Sequence, residues 1–332
     1  MNLNFPVMDI QKLLFEEIRS RISNPASWSK EISELLHLGR DAVYRRERGD
    51  VQLTASELGK LCCHYGISLD SYLLSDRHNV VFKHTSLNHQ DSYNYSQYIH
   101  QLLLQLQHMV SCEQKEIIFC ADDVPIFHFM EFAELTYFKL YSWNQAVLNL
   151  GVSYEDFVYE LKKQHLEPVF KNLHETYCRI PSREIWSRGT IGPILELLEY
   201  HYDIGSFRNQ DSIGLLLEQL GHLITNLKRW TKRQEKHEGV HFDLYLSPVN
   251  LGISQMLCRF DGQQSVSVKL YTINSIATLD MRYVTETIDW IRGVLNKSSC
   301  LSKLSEKERI HFFNHLDGCI DGLAGRMNLP QA

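Results

Sequence analysis

Residues 29–49, SKEISELLHLGRDAVYRRERG, constrain the fold more than any other stretch of this chain: they have the spacing of two short helices joined by a tight turn. Ile32, Leu35 and Leu36 recur at the i, i+3, i+4 interval of one helical face, and Trp28 closes the helix start. The turn runs through His37 and Leu38. Gly39 opens the second helix, Asp41 sits in its first turn where the helix dipole favours an anion, and Gly49 stops it. At about 100° per residue, Arg40, Asp41, Tyr44, Arg45 and Arg48 share an arc of roughly 140°, while Ala42 and Val43 point elsewhere. One face of the second helix is therefore polar and mostly cationic.

This pair and its flanks resemble the phage-repressor (Xre-type) helix-turn-helix family, in which such a pair is followed by a motif ending Glu-Arg-Gly, here Glu47, Arg48 and Gly49. LTASELGKLCCHYGISLDSYL, residues 53–73, matches the family's fourth helix and the turn after it, with Leu58, Leu61 and Tyr65 on the buried stripe. The YRRERG wording is also similar to regulators of Bacteroidetes-type bacteria with a long C-terminal part of no assigned activity. The resemblance covers about residues 8–75, under a quarter of the chain. It implies duplex DNA as partner, with Ser29, Gly39, Arg40, Asp41, Tyr44, Arg45 and Arg48 as the candidate DNA contacts. The chain departs from the family at three positions: Ser33 stands where the helices cross, His37 at the usual turn glycine, and Arg46 at a normally apolar position. Arg46 must either snorkel past the core or join the phosphate contacts.

Length and charge bound the rest. A chain of 332 residues favours two or three domains. Its net charge of -6, and 9 Lys+Arg against 10 Asp+Glu in residues 1–75, argue against general affinity for nucleic acid. The basic strip is local, with four Arg against two acids in residues 39–49. Cys62, Cys63, Cys112, Cys120, Cys178, Cys258, Cys300 and Cys319 show no repeated spacing and no CxxC pair, so they read as reduced thiols. The start, MNLNFPVMDI, has no charged region before an apolar run, and no stretch of about 18 apolar residues occurs. The expectation is a cytoplasmic protein.

Along the chain, a first helix is expected over 8–22, broken by Asn24 and Pro25, and a short closing helix from Ser68 to about Leu74. The polar stretch 76–93 reads as a linker. Helical periods follow at 94–111, 126–150, 153–178 with a break before Pro168, 182–203, 209–237, 280–296 and 305–325. EIIFCA, residues 116–121, suits a buried strand, and 241–274 alternates with period two around Asp261-Gly262, a hairpin signal. The expected fold class is mainly α with a small antiparallel β-sheet (α+β): a helix-turn-helix domain at 1–75 and a larger α-rich domain at 94–332 with a three-stranded meander.

Chemistry-bearing motifs are weak. His311 and His315 lie one turn apart but lack the glutamate a zinc protease needs beside the first histidine. Cys62, Cys63 and His64 are too close along a helix to converge on one metal. Asp122 and Asp123 read as helix caps, the aromatics from Phe127 to Trp143 as core, and Gly318, Gly322 and Gly325 as sites of close helix contact. No phosphate loop, nucleophile elbow or dinucleotide fingerprint is present, so no enzyme activity, metal or cofactor is expected. The reading is a sequence-specific DNA-binding regulator, a homodimer through its C-terminal domain, open to a small-molecule or protein effector. Ile310, Phe313, Leu316, Ile320 and Leu323 offer either a dimer stripe or a core stripe. Two other classes compete: an enzyme or effector module that the helix pair targets or autoregulates, and a protein-binding module.

Overall fold

The computed structural model describes residues 10–22, 28–69, 79–84, 94–148, 151–270, 273–303 and 306–329. The chain divides into two compact units, Met1–Val81 and Phe82–Ala332. The expected break at Asn24 and Pro25, the closing helix beyond Leu69 and most of the expected linker lie outside the described residues.

In the first unit, α1 (Ile10–Arg21), α2 (Trp28–Leu36), α3 (Arg40–Glu47) and α4 (Ala55–Tyr65) gather around Leu14, Phe15, Ile18, Ile32, Val43 and Leu61. The N–H of Leu38 donates to the carbonyl of Ser33 at 3.0 Å, and His37 adopts a left-handed φ of 56°, so α2 ends in a Schellman-type turn. A glycine is at ease in that conformation, whereas histidine holds it at a cost of about 1–2 kcal/mol. Thr54 and Glu57 form a reciprocal capping box that starts α4.

The second unit is organised by a sheet. Its strands are β1 (Lys83–His84), β2 (Lys115–Ala121), β3 (Ser182–Trp186), β4 (Glu235–His237), β5 (Val240–Leu246), β6 (Gln255–Phe260), β7 (Gln263–Leu270), β8 (Asn274–Thr278) and β9 (Ser299–Cys300). They run in the order β1-β8-β7-β6-β2-β3-β5-β4, with β9 also paired to β5. β2, β3 and β5 are parallel neighbours, and the other pairs are antiparallel.

A nine-stranded mixed sheet overturns the expectation of a mainly α chain with a small antiparallel sheet. Parallel neighbours need long crossovers, here the helical stretches between β2 and β3 and between β3 and β5, so no local turn signals the pairing. Two assignments change with it. Residues 182–186, expected to begin a helix, are β3, and the helix starts at Gly192. The meander is β6–β7–β8, not 241–274, because β5 lies beside β3 while β6 pairs with β2. The Asp261-Gly262 turn does join β6 to β7, with φ of 43° and 80°, the positive values a two-residue hairpin of this kind requires.

The helices of this unit are α5 (Asn94–Ser111), α6 (Ile126–Phe129), α7 (Ala133–Leu148), α8 (Tyr154–Lys162), α9 (Glu167–Cys178), α10 (Gly192–Asp203), α11 (Gln210–Arg233), α12 (Met281–Leu295) and α13 (Glu306–Arg326). Strand β2 is apolar on both sides because both are covered. Ile117, Phe119 and Ala121 join the core under α5–α11 and α13, whereas Ile118 and Cys120 join Leu257, Val266 and Val268 under Val284 and Ile291 of α12. The aromatics Phe127, Phe129, Tyr137, Phe138, Tyr141 and Trp143 belong to the first of these cores. So do Phe313, Leu316, Ile320 and Leu323, which leaves Ile310 alone of that stripe exposed and withdraws it as a dimer surface. Gly318 and Gly325 face open space and Gly322 meets only its own helix's Arg326, so these glycines do not mark close helix contact.

Candidate functional site

The second helix of the pair, α3, is anchored from below and free above. Val43 is wholly buried, and Gln11 of α1 reaches the far end, where its amide donates to the carbonyls of Arg46 at 2.5 Å and Val51 at 2.9 Å. The N–H of Leu53 donates back to the Gln11 side-chain oxygen at 2.7 Å. One amide thus bonds three backbone groups of α3 and its exit loop, adding a second donor to the Arg46 carbonyl, which also accepts the Gly49 N–H at 3.0 Å.

Gly39, Arg40, Asp41, Tyr44, Arg45 and Arg48 are all exposed, Gly39 at the start of α3 and the other five on the arc that helical spacing assigns to them. Arg40 and Arg45 have no ion-pair partner among the described residues, whereas Arg48 lies 3.0 Å from Asp50. Tyr44 is half-packed: its ring stands edge-on to Trp28 at 5.2 Å, and its hydroxyl donates to Ser29 Oγ at 3.4 Å. Ser29 itself is only 4% exposed, so it supports Tyr44 from beneath rather than presenting its hydroxyl. Ser33 is turned inward too, its hydroxyl donating to the Ser29 carbonyl at 2.6 Å.

Arg46 takes neither of the courses its position suggested. Its Nε and Nη2 donate to the two oxygens of Glu57 at 3.2 and 2.9 Å, and Nη1 donates to the Ala42 carbonyl at 3.2 Å. Burial raises the Glu57 pKa, but the bonds from Arg46 and Thr54 outweigh it and hold the carboxyl below its usual range. A guanidinium and a carboxylate in fork geometry thus fill a half-buried place between α3 and α4. Arg19 ends the set of local pairs, 2.5 Å from Glu47 and 4.5 Å over the Trp28 ring.

In the large unit, polar chemistry is internal. Glu184 on β3 is fully buried and accepts from His128 Nε2 at 2.9 and 3.0 Å, from Trp186 Nε1 at 2.8 Å and from the Tyr177 hydroxyl. Burial raises its pKa, but the charge and bond of His128 lead the opposing effects and keep it low; burial beside Glu184 pushes Tyr177 well up. Lys236 lies 3.5 Å over the Tyr177 ring and donates to the Tyr177 carbonyl at 3.1 Å; burial draws it down to about 7, against the raising influence of Cys178 and Glu184. His128, Tyr177, Glu184, Trp186 and Lys236 are all buried, so the cluster braces the sheet against the helices and offers no face to a substrate. Its members lie at positions 128, 177, 184, 186 and 236, too far apart along the chain for a local pattern to mark the cluster.

The weaker motifs stay apart. His311 is exposed, while His315 faces the Arg188 carbonyl at 3.3 Å and Cys319 Sγ at 3.8 Å. Cys62 is buried and Cys63 exposed. All eight cysteines are free, and among the described residues no three His, Cys, Asp or Glu side chains cluster as a metal would require. Asp122 and Asp123 are not caps: Pro125 precedes α6, Asp122 accepts the Gly252 N–H at 3.2 Å, and Asp123 is a buried ion-pair partner of Lys139 and Lys269. No described helix is long and apolar enough to cross a membrane. Comparison of the chain with protein-family models, curated proteins and solved structures returned no match.

Proposed function

We propose that this chain is a sequence-specific DNA-binding transcriptional regulator whose first unit meets duplex DNA through α3 and whose second unit serves regulation and self-association. The observation that carries the reading is the state of Arg40 and Arg45: exposed, without ion-pair partners among the described residues, on a helix held rigid by Val43, Gln11 and the Arg46–Glu57 fork. An unpaired guanidinium on such a helix can donate both bonds to guanine O6 and N7, a contact worth roughly 1–3 kcal/mol of discrimination. Arg48, exposed just past the end of α3, suits phosphate, for which it would exchange its surface ion pair with Asp50.

A single helix pair binds little better than non-specifically, at roughly 10⁻⁴ to 10⁻⁶ M, so the working form is a homodimer. Its two copies would read half-sites about 34 Å apart or a multiple of that. Selection of random duplexes by the purified full chain, followed by sequencing, tests the reading: a two-fold-related motif is expected, and an unenriched pool contradicts it.

A further inference from the structure

A cavity of about 70 Å³ lies on the helical face of the sheet, between β2, β6, β7 and the helices α5 and α6. Leu102, Phe119, Val124, Phe127, Met256 and Ile273 give it a mainly apolar wall. Set into that wall are Asp123, Lys139 and Lys269. Lys139 Nζ donates to Asp123 Oδ2 at 2.8 Å, and Lys269 Nζ shares the same oxygen. Asp123 is 5% exposed and Lys139 1%.

Two features of this arrangement are incomplete. Two ammonium groups face one carboxylate, so an excess positive charge sits beside an apolar space, a placement that is costly until an anion balances it. Asp123 Oδ1 is buried and accepts no hydrogen bond, although Oδ2 accepts two. The missing partner is therefore an anion with a hydrogen-bond donor close by. At roughly 10–15 Å³ for each water-sized atom, the space takes about five to seven non-hydrogen atoms. Asp123 also lies two residues past the carboxyl end of β2, the side of a parallel sheet on which open α/β folds place their ligands.

We propose that this cavity binds a short-chain hydroxy acid, its carboxylate beside Lys139 and Lys269 and its hydroxyl donating to Asp123 Oδ1. The assignment gives the ligand class for the regulatory role proposed above and rests on that reading for its consequence, whereas binding itself is measured without DNA. Titration calorimetry on the full chain uses glycolate, lactate and 3-hydroxybutyrate as probes, with propionate lacking the hydroxyl and 1,2-propanediol lacking the charge. At least one hydroxy acid is expected to bind once per chain with a Kd below 1 mM, about tenfold or more tighter than propionate, with no heat from the diol. Lys139→Met abolishes this binding. Should that variant fail to fold, Lys269→Gln, whose side chain is partly exposed, weakens it at least tenfold. Silence from all three hydroxy acids, equal binding of propionate, or full affinity in folded Lys269→Gln overturns the proposal. DNA selection by the unliganded chain is independent of each of these results.

Discussion

The exposed face of α3 and the interior of the large unit treat charge in opposite ways. On α3, Arg40 and Arg45 stand in water with no ion-pair partner among the described residues, while in the core of the large unit every oxygen of Glu184 is engaged by His128, Tyr177 or Trp186. Water solvates an isolated guanidinium at no cost to folding, so such a group stays available to a polyanion. A carboxylate removed from water persists only when its bonds are replaced one for one. Substitutions should therefore divide cleanly, the interior ones acting on stability and the α3 ones on recognition.

The largest expected effect is at Glu184. Removing it by Glu184→Ala strands three buried donors, and a loss of about 3–5 kcal/mol, or failure to fold, is expected in denaturant unfolding. A loss under about 1 kcal/mol would erase the contrast between the two regions. His201 tests the same idea through pH. It is bonded to Ser142 at 3.1 Å and Ser206 at 3.0 Å, and burial lowers its pKa to about 4. The unfolded chain takes up this proton near pH 6.5, so the stability His201 confers is complete above that pH and drains away as pH falls toward 4. The change is on the order of 3 kcal/mol. Unfolding of His201→Gln across that interval should show a correspondingly shallower decline.

Arg46 lies between the extremes, polar but enclosed. Arg46→Ala breaks the fork to Glu57 and should cost about 1–2 kcal/mol, with Arg46→Met recovering part of it by restoring apolar contact. Arg45→Ala marks the other limit: thermal unfolding should change by no more than about 0.5 kcal/mol, while discrimination relaxes at one base position. Arg48→Ala should weaken all duplexes alike and lower the slope of log affinity against log salt by about 1.

What the sequence makes legible follows from the range of the interaction involved. The arc of α3, the apolar strand β2 and the Asp261-Gly262 hairpin are set by neighbours within a few residues, and each can be read from spacing. Strand β3 cannot, because SREIW is short, carries two charges and is defined by parallel partners far along the chain. The partner of Arg46 is 11 residues away on another helix, so its position shows only that a charge faces inward. Asp123 looked like a cap because its lysines lie 16 and 146 residues on. A sharper clue was Lys139 itself, a lone cation among Tyr137, Phe138, Leu140 and Tyr141, which a core helix tolerates only beside a buried anion.

The central claim, that α3 reads DNA through unpaired arginines, is tested most directly by fluorescence anisotropy of the full chain on two duplexes, the selected site and its scrambled counterpart, at one fixed salt concentration. The account predicts at least a thousandfold preference of wild type for the selected site, reduced about five- to hundredfold by Arg45→Ala with folding intact. Equal affinity of the wild type for both duplexes, or a preference that Arg40→Ala and Arg45→Ala leave untouched, would contradict it.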